Sequence, residues 1–300
     1  MNNIVPFNVG NEVVESKPAA KYLGVMVDTK MSFWEQIRRT ADKAAKGAAS
    51  LSKLMANVGG PSSSRRKLLM SAVQSVLLYG AEVWADALKK EMYRKRLVSV
   101  QRHAALRVAS AYRTVSEPAV LVIAGIIPVS LAAAERKAVY RRQSEVGREA
   151  AKREERALTF TRWQTSWESE ARGRWTARLI KTVQPWVERQ HGEIDFYLTQ
   201  FLSGHGYFKE YLYRMRRAMS PQCTYCPGVN DDAEHTFFQC PRWRFLRQEV
   251  VNEEEELSVD HAIERMLRTG DHWRCFSRFI HGVLRAKKRD LDLDQEVYNN

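Results

Sequence analysis

Three cysteines and one histidine are the residues in this chain best placed to do chemistry. They run Cys223-Thr-Tyr-Cys226, then eight residues to His235 and four more to Cys240. Thiolates and an imidazole at the spacing C-x2-C-x8-H-x4-C form a complete tetrahedral ligand set for Zn²⁺. Cys223 and Cys226 lead into the turn Pro227-Gly228, where both sulfurs approach one ion, and a short helical turn returns His235 and Cys240 to the same metal. Four protein ligands leave no position for a reacting water, so the expected ion is structural. The competing reading is three unrelated core cysteines and a surface histidine. Three of the chain's four cysteines fall within eighteen residues, which weighs against it.

A second candidate is His205, bracketed by Gly204 and Gly206. Catalysis would need a partner acid or nucleophile, and none stands near in sequence, so His205 reads as structural or as a phosphate contact. No catalytic residue is assigned. Trp163, Trp167, Trp175 and Trp186 recur among arginines, and core packing is favoured for them over stacking on bases.

Charge supplies the third chemistry. The net charge is +13, and it is not evenly spread. Residues 1–37 carry three basic and four acidic side chains, and residues 114–300 carry 29 and 27. Residues 38–113 carry sixteen Lys or Arg against four acids, so this block holds +12 of the imbalance. Such a block is expected to bind a polyanion, with RNA or DNA the leading partner. The alternative is a solvated helical surface with surplus lysine. The basic pool comprises Arg38, Arg39, Lys43, Lys46, Arg65, Arg66, Lys67, Arg94, Lys95, Arg102 and Arg107. Between Ser220 and Arg247 the metal module is balanced, because Asp231, Asp232 and Glu234 offset Arg242, Arg244 and Arg247. Its binding potential therefore lies on its flanks, in Arg214, Arg216 and Arg217 before it and in Arg242, Arg244 and Arg247 after it.

The elements that must hold these residues read as mainly α. Ile4 to Val9 and Glu12 to Glu15 flank Gly10-Asn11 as a hairpin, and Lys21 to Asp28 reads as one strand buried on both faces. A sheet this short cannot stand alone, so further structure is expected N-terminal to Met1. Ser32 and Glu35 predict a capping box for a helix through Met55, ended by Gly59-Gly60-Pro61. Ser62 to Ser64 cap a second helix with a stripe of Leu68, Leu69, Val73, Val76, Leu77 and Tyr79. A third spans Leu88 to Tyr112, a short one runs from Ser116-Glu117-Pro118 to Gly125, and another covers Val129 to Val146. Arg148 to Arg156 suits a solvated helix or linker, and Tyr207 to Met215 an aromatic helix. Beyond the cysteines, a helix starts at Pro241, Glu253 to Glu256 form an acidic turn, and residues 260–286 are helical before a frayed tail from Lys287. The organisation expected is 1–29 β, 30–146 a basic helical bundle, 147–219 a helical and aromatic linker, 220–247 the zinc module and 248–300 C-terminal helices. No apolar run reaches the length of a membrane span, and cysteine usage fits a reducing nuclear or cytoplasmic setting.

Several of these pieces, in order, resemble the C-terminal part of the reverse transcriptase polyprotein of non-LTR (LINE-type) retrotransposons. They are Lys21-Tyr22-Leu23-Gly24-Val25-x-Val27-Asp28, Leu78-Tyr79-Gly80-Ala81-Glu82-x-Trp84, Gln101-Arg102-x-Ala104-x-x-Arg107 and Ala111-Tyr112-Arg113-Thr114-Val115-Ser116. Leu202-Ser203-Gly204-His205-Gly206-Tyr207-Phe208 and Ser220-Pro221-x-Cys223-x-x-Cys226 complete the set, and the likeness is to the arthropod elements that insert into ribosomal genes or telomeric repeats. The resemblance implies the end of a polymerase palm, a basic helical thumb and a CCHC knuckle that grips RNA or target DNA in target-primed reverse transcription. The family's catalytic aspartates, which hold Mg²⁺ ions, lie upstream of the Tyr-Leu-Gly strand in a Tyr/Phe-Ala-Asp-Asp turn, and the twenty residues before that strand hold no Asp. Asp231-Asp232 is the one adjacent aspartate pair, and it sits in the metal loop. Mg²⁺ therefore belongs to a centre outside this chain, as the polymerase palm and endonuclease do. Two other readings stay open: a zinc-stabilised module that binds an acidic protein, and a non-functional remnant of a retroelement.

Overall fold

The structure, a computed structural model, describes residues 6–251 and 257–299. Ile4 and the run Glu253 to Glu256 lie outside them. The chain is mainly α-helical, with two short antiparallel strand pairs, as its pattern implied. It divides into two compact units: Met1–Leu51, Leu69–Ala104 and Pro128–Thr159 form the first, and Ser52–Leu68, Ala105–Ile127 and Phe160–Asn300 the second.

β1 (Pro6–Val9) and β2 (Glu12–Glu15) pair around Gly10, whose φ of 64° suits the tight turn. The strand expected over Lys21 to Asp28 is instead a second hairpin. β3 (Ala19–Tyr22) pairs with β4 (Val25–Asp28) through a two-residue turn in which Leu23 (φ 44°) and Gly24 (φ 86°) are both left-handed. Tyr22 and Leu23 are 70% and 79% exposed, so this segment is not buried on both faces. The Tyr79 hydroxyl donates to the Leu23 carbonyl (3.1 Å) and lies where a Cβ on residue 24 would stand, 2.8 Å away.

α1 (Trp34–Ser52) buries Ile37, Ala41, Ala44 and Ala48 at helical spacing. Its capping differs from expectation. Glu35 turns outward to Arg38 and Arg39, and Asp28 takes over, accepting the backbone N–H groups of Lys30, Ser32 and Phe33 (2.7 to 3.1 Å). Hydrogen bonds to the charged form hold the Asp28 carboxyl low even against its desolvation. The helix also stops a turn short of Met55, which is fully buried.

α2 (Ser63–Leu77) buries Met70, Val73 and Leu77 but exposes Leu68, so its apolar stripe is narrower than expected. Gly80 (φ 68°) breaks the chain before α3 (Ala81–Trp84), and a 3-10 turn (Ala85–Lys89) leads into α4 (Glu91–Val108). α5 (Glu117–Ala124) ends on left-handed Gly125, as anticipated, and buries six consecutive residues from Ala119 to Ala124. α6 (Val129–Val146) begins where the Gln101 side chain accepts the Val129 N–H (2.7 Å), and it packs on α3.

In the second unit, α7 (Arg148–Ser169) brings in Trp163 and Trp167, both buried. α8 (Arg174–Leu179) and α9 (Val183–Glu188) follow. The Trp186 Nε1–H donates to the Val122 carbonyl of α5 (2.9 Å), and Trp167 to Ile180 (2.9 Å), so three of the four tryptophans are core residues. Trp175 is half-buried and donates to Phe201 (2.7 Å). Asp195 caps α10 (Phe196–Ser203) through the N–H groups of Tyr197 and Leu198. α11 (Lys209–Arg214), α12 (Arg244–Gln248), α13 (Val259–Arg268) and α14 (Gly270–Asn299) complete the unit. α14 continues through the tail expected to fray, because Lys287 is anchored in the interior and Lys288 pairs with Asp292 (2.9 Å) one turn on. Among the described residues no single helix is long and apolar enough to cross a membrane.

Candidate metal centre

The segment from Gln222 to Asn230 forms a miniature hairpin. The two ends bridge, the Cys223 N–H donates to the Val229 carbonyl (2.8 Å), and Gly228 supplies a left-handed residue (φ 77°). The Tyr225 N–H points at the Cys223 sulfur (3.4 Å). The other two ligands sit on one π-turn, His235–Gln239, closed by the Cys240 N–H on the His235 carbonyl (2.7 Å). An i to i+5 bond is what the five-residue separation of His235 and Cys240 requires, so the expected helical turn is of the wide kind. The Asp232 carboxylate accepts the His235 N–H (2.7 Å) and starts the turn, and Arg247 donates to the Cys240 carbonyl (2.8 Å) and finishes it.

The four ligand atoms lie within 4.8 Å of one another. Cys240 Sγ is 4.0 Å from Cys223 Sγ and 3.9 Å from Cys226 Sγ. Tetrahedral Zn–S bonds of about 2.3 Å set sulfurs about 3.8 Å apart, so this set fits Zn²⁺. His235 is 6% exposed, and its Nε2 is buried without a hydrogen-bond partner, as a metal-bound nitrogen would be. Burial pushes the Cys240 thiol up to about 12 and raises Cys226 as well, and a divalent cation reverses that preference. Because all four corners are protein atoms, the ion would brace the chain and leave no site for a substrate.

One group of residues behind the ligands was missed in the sequence. Asp231, 4% exposed, accepts from the Lys209 N–H (2.8 Å), the Thr236 hydroxyl (2.9 Å) and the Lys287 ammonium of α14. The Lys287 Nζ also reaches Thr236 (3.1 Å) and lies over the Phe208 ring. A buried, fully bonded ion pair therefore fastens the metal loop to α14. The only sequence signal was the Asp231-Asp232 pair, because a partner 56 residues away leaves no local pattern.

The basic pool separates by environment. In the first unit, Arg38 and Arg39 both bind Glu35 and hold its carboxyl down at about 2, and Lys95 pairs with Glu91 (2.8 Å). Lys43, Lys46 and Arg94 are exposed, and Arg94 stands near the Glu91 carboxylate. α1 and α4 carry these three and are held side by side by Arg96 on Asp42 (2.8 Å) and Trp34 against Tyr93 (4.9 Å). Arg102 is half-buried. In the second unit, Arg65 and Lys67 are exposed and Arg107 is half-buried. Arg66 is 2% exposed and spends its guanidinium on the carbonyls of Pro61, Ala56 and Arg107, which is a structural use. Arg214, Arg216, Arg217, Arg242 and Arg244 are exposed, with Arg242 between the rings of Tyr225 and Trp243 (5.2 and 5.3 Å). Arg247 is the half-buried brace of the π-turn.

His205 is built into the core edge. Its Nδ1 shares a hydrogen bond with Thr114 (2.9 Å), and its ring stacks on Tyr211 (4.8 Å). Desolvation, with help from the Arg214 charge, holds it down at about 4.

No family model matches the chain, and no solved structure matches it. Curated relatives do. The Retrovirus-related Pol polyprotein from type-1 retrotransposable element R1 2 of Nasonia vitripennis is 28% identical over 244 residues, covering 76% of this chain and 59% of that protein. The corresponding polyprotein from element R1 4 of the same wasp is 22% identical over 81% of this chain and 65% of its own length. The Pol polyprotein from the R1 element of Bradysia coprophila is 24% identical over 78% of this chain and 25% of its length. The chain thus spans less than two thirds of each of these three relatives. Over most of its residues, it is similar to the Pol polyproteins of R1 non-LTR retrotransposable elements.

Proposed function

We propose that this chain is a zinc-braced nucleic-acid-binding region of a retrotransposon reverse transcriptase, acting beside a polymerase centre that it does not itself contain. The observation that carries this reading is the set of exposed cations Lys43, Lys46 and Arg94 on the adjoined helices α1 and α4. Lysine and arginine presented this way meet phosphates without reading bases, which suits a template–primer duplex whose sequence changes at every step. The CCHC module would take Zn²⁺ as a brace and present Arg214, Arg216 and Arg217 together with Arg242 and Arg244 to RNA or target DNA during target-primed reverse transcription. Mg²⁺ and nucleotide chemistry belong to the palm of the parent polyprotein.

The test is fluorescence anisotropy of the full chain on a labelled RNA–DNA duplex. The triple variant Lys43→Glu, Lys46→Glu, Arg94→Glu should bind at least about tenfold more weakly, with the salt slope smaller by about 3. Unchanged affinity would defeat the proposal. If an acidic protein of matched charge displaces the duplex at equal concentration, the protein-interaction reading is the better one.

A further inference from the structure

The second unit holds a groove of about 790 Å³ that no part of the reading so far uses. One wall is the segment leaving α11 toward the metal loop, with Met215, Arg217 and Met219, and the other is α14 at Lys288 and Leu291. Its floor is aromatic. Tyr112 and Tyr207 line it, and their rings belong to a packed cluster in which Tyr112 lies 5.6 Å from Phe196 and 5.8 Å from Tyr211, with Phe196 6.1 Å from Tyr207. Met219 is 84% exposed and Met215 36%, so apolar surface continues from the half-buried rings out to solvent.

The rim is cationic. Arg217 is exposed and has no acidic partner among the described residues. Lys209 and Lys288 also line the groove, and the carboxylate among its described lining residues, Asp292, is already paired with Lys288. Flat rings and soft methionines offer apolar and polarisable contact, and the guanidinium and ammonium groups of the same lining offer phosphate contacts. The Tyr112 and Tyr207 hydroxyls hydrogen-bond each other, which fixes the two rings beside one another. A duplex cannot use this groove, because its base faces are already stacked. An unpaired base can.

We infer that the groove between Met219 and α14 binds an unpaired nucleotide of single-stranded RNA or DNA, with its base against Tyr112 and Tyr207 and its phosphate on Arg217. This rests on the nucleic-acid reading above and adds a second, strand-selective site to it.

The experiment compares a labelled twelve-nucleotide single strand, as RNA and as DNA, with the matching duplex on the full chain. The variant Met219→Glu alters one exposed side chain that has no part in the duplex reading, so the fold should persist, and an unchanged circular dichroism melt checks this. Single-strand affinity should fall at least about tenfold, and duplex affinity by less than about threefold. A 4-thiouridine placed in the strand should crosslink to peptides covering residues 207–220 or 288–292. Loss on both probes alike, or on neither, overturns the groove assignment, and so does crosslinking confined to other peptides. A groove that serves a peptide would leave single-strand binding intact in the variant. Duplex binding that survives in the wild type while the single strand is ignored sinks the groove alone, whereas a wild type that binds neither sinks the underlying reading as well.

Discussion

A desolvated histidine and a cysteine cluster able to hold zinc make different demands on pH and on ions. In the unfolded chain His205 gains its proton near 6.5, but in the fold only near 4. The stability it contributes is therefore complete above about 6.5 and drains away as pH falls toward about 4, by at most about 3 kcal/mol. Chemical denaturation at pH 7 and pH 5 should show the wild type losing more stability than His205→Gln, and equal losses would mean the ring is not desolvated. For the metal centre, the expectation is one zinc per chain. Cys240→Ser, at the most buried ligand, should retain less than about a tenth of it by elemental analysis, and a chelator should lower the melting temperature of the wild type but not of the variant. Full zinc content in Cys240→Ser would remove this sulfur from the ligand set.

At the scale of elements, the pair Lys287–Asp231 decides whether the metal loop and α14 move as one. Removing one partner of a buried ion pair leaves the other charge uncompensated, so Lys287→Met should cost about 3–5 kcal/mol in a urea melt and raise proteolysis near the metal loop. A cost below about 1 kcal/mol would show that the pair is incidental. This latch also marks where sequence stops informing. The cysteine spacing, the Pro118 start and Gly125 stop of α5, and the exact span of α6 were legible because each rests on neighbours in sequence. Lys21 to Asp28 misled because alternation was judged without Tyr79, whose hydroxyl from 56 residues away stabilises the Leu23-Gly24 turn. The capping of α1 misled for a similar reason. Asp28 outcompetes Glu35 because it offers both carboxylate oxygens to several N–H groups at once, while two arginines draw Glu35 away. The basic pool was legible as composition, but the use of Arg66 and Arg247 on backbone carbonyls depends on tertiary placement that charge counting cannot reveal.

On the scale of the whole molecule, the account is one of charge and brace: +12 of the net +13 sits in residues 38–113, and a Cys and His cluster close enough to hold a metal lies between two further groups of arginines. Both parts predict how binding responds to perturbation. Cys226→Ser should release zinc and weaken nucleic-acid binding through local unfolding of the arginine flanks. A variant that loses zinc yet binds as well as the wild type would show that the brace does not serve the interface. The most direct measurement is the affinity of the full chain for an RNA–DNA duplex between about 50 and about 200 mM salt. If six or so phosphates are neutralised, log affinity should fall linearly with log salt and lose about three orders of magnitude across that range. An affinity that stays constant over the same interval would contradict the claim that this chain holds nucleic acid by its positive surfaces.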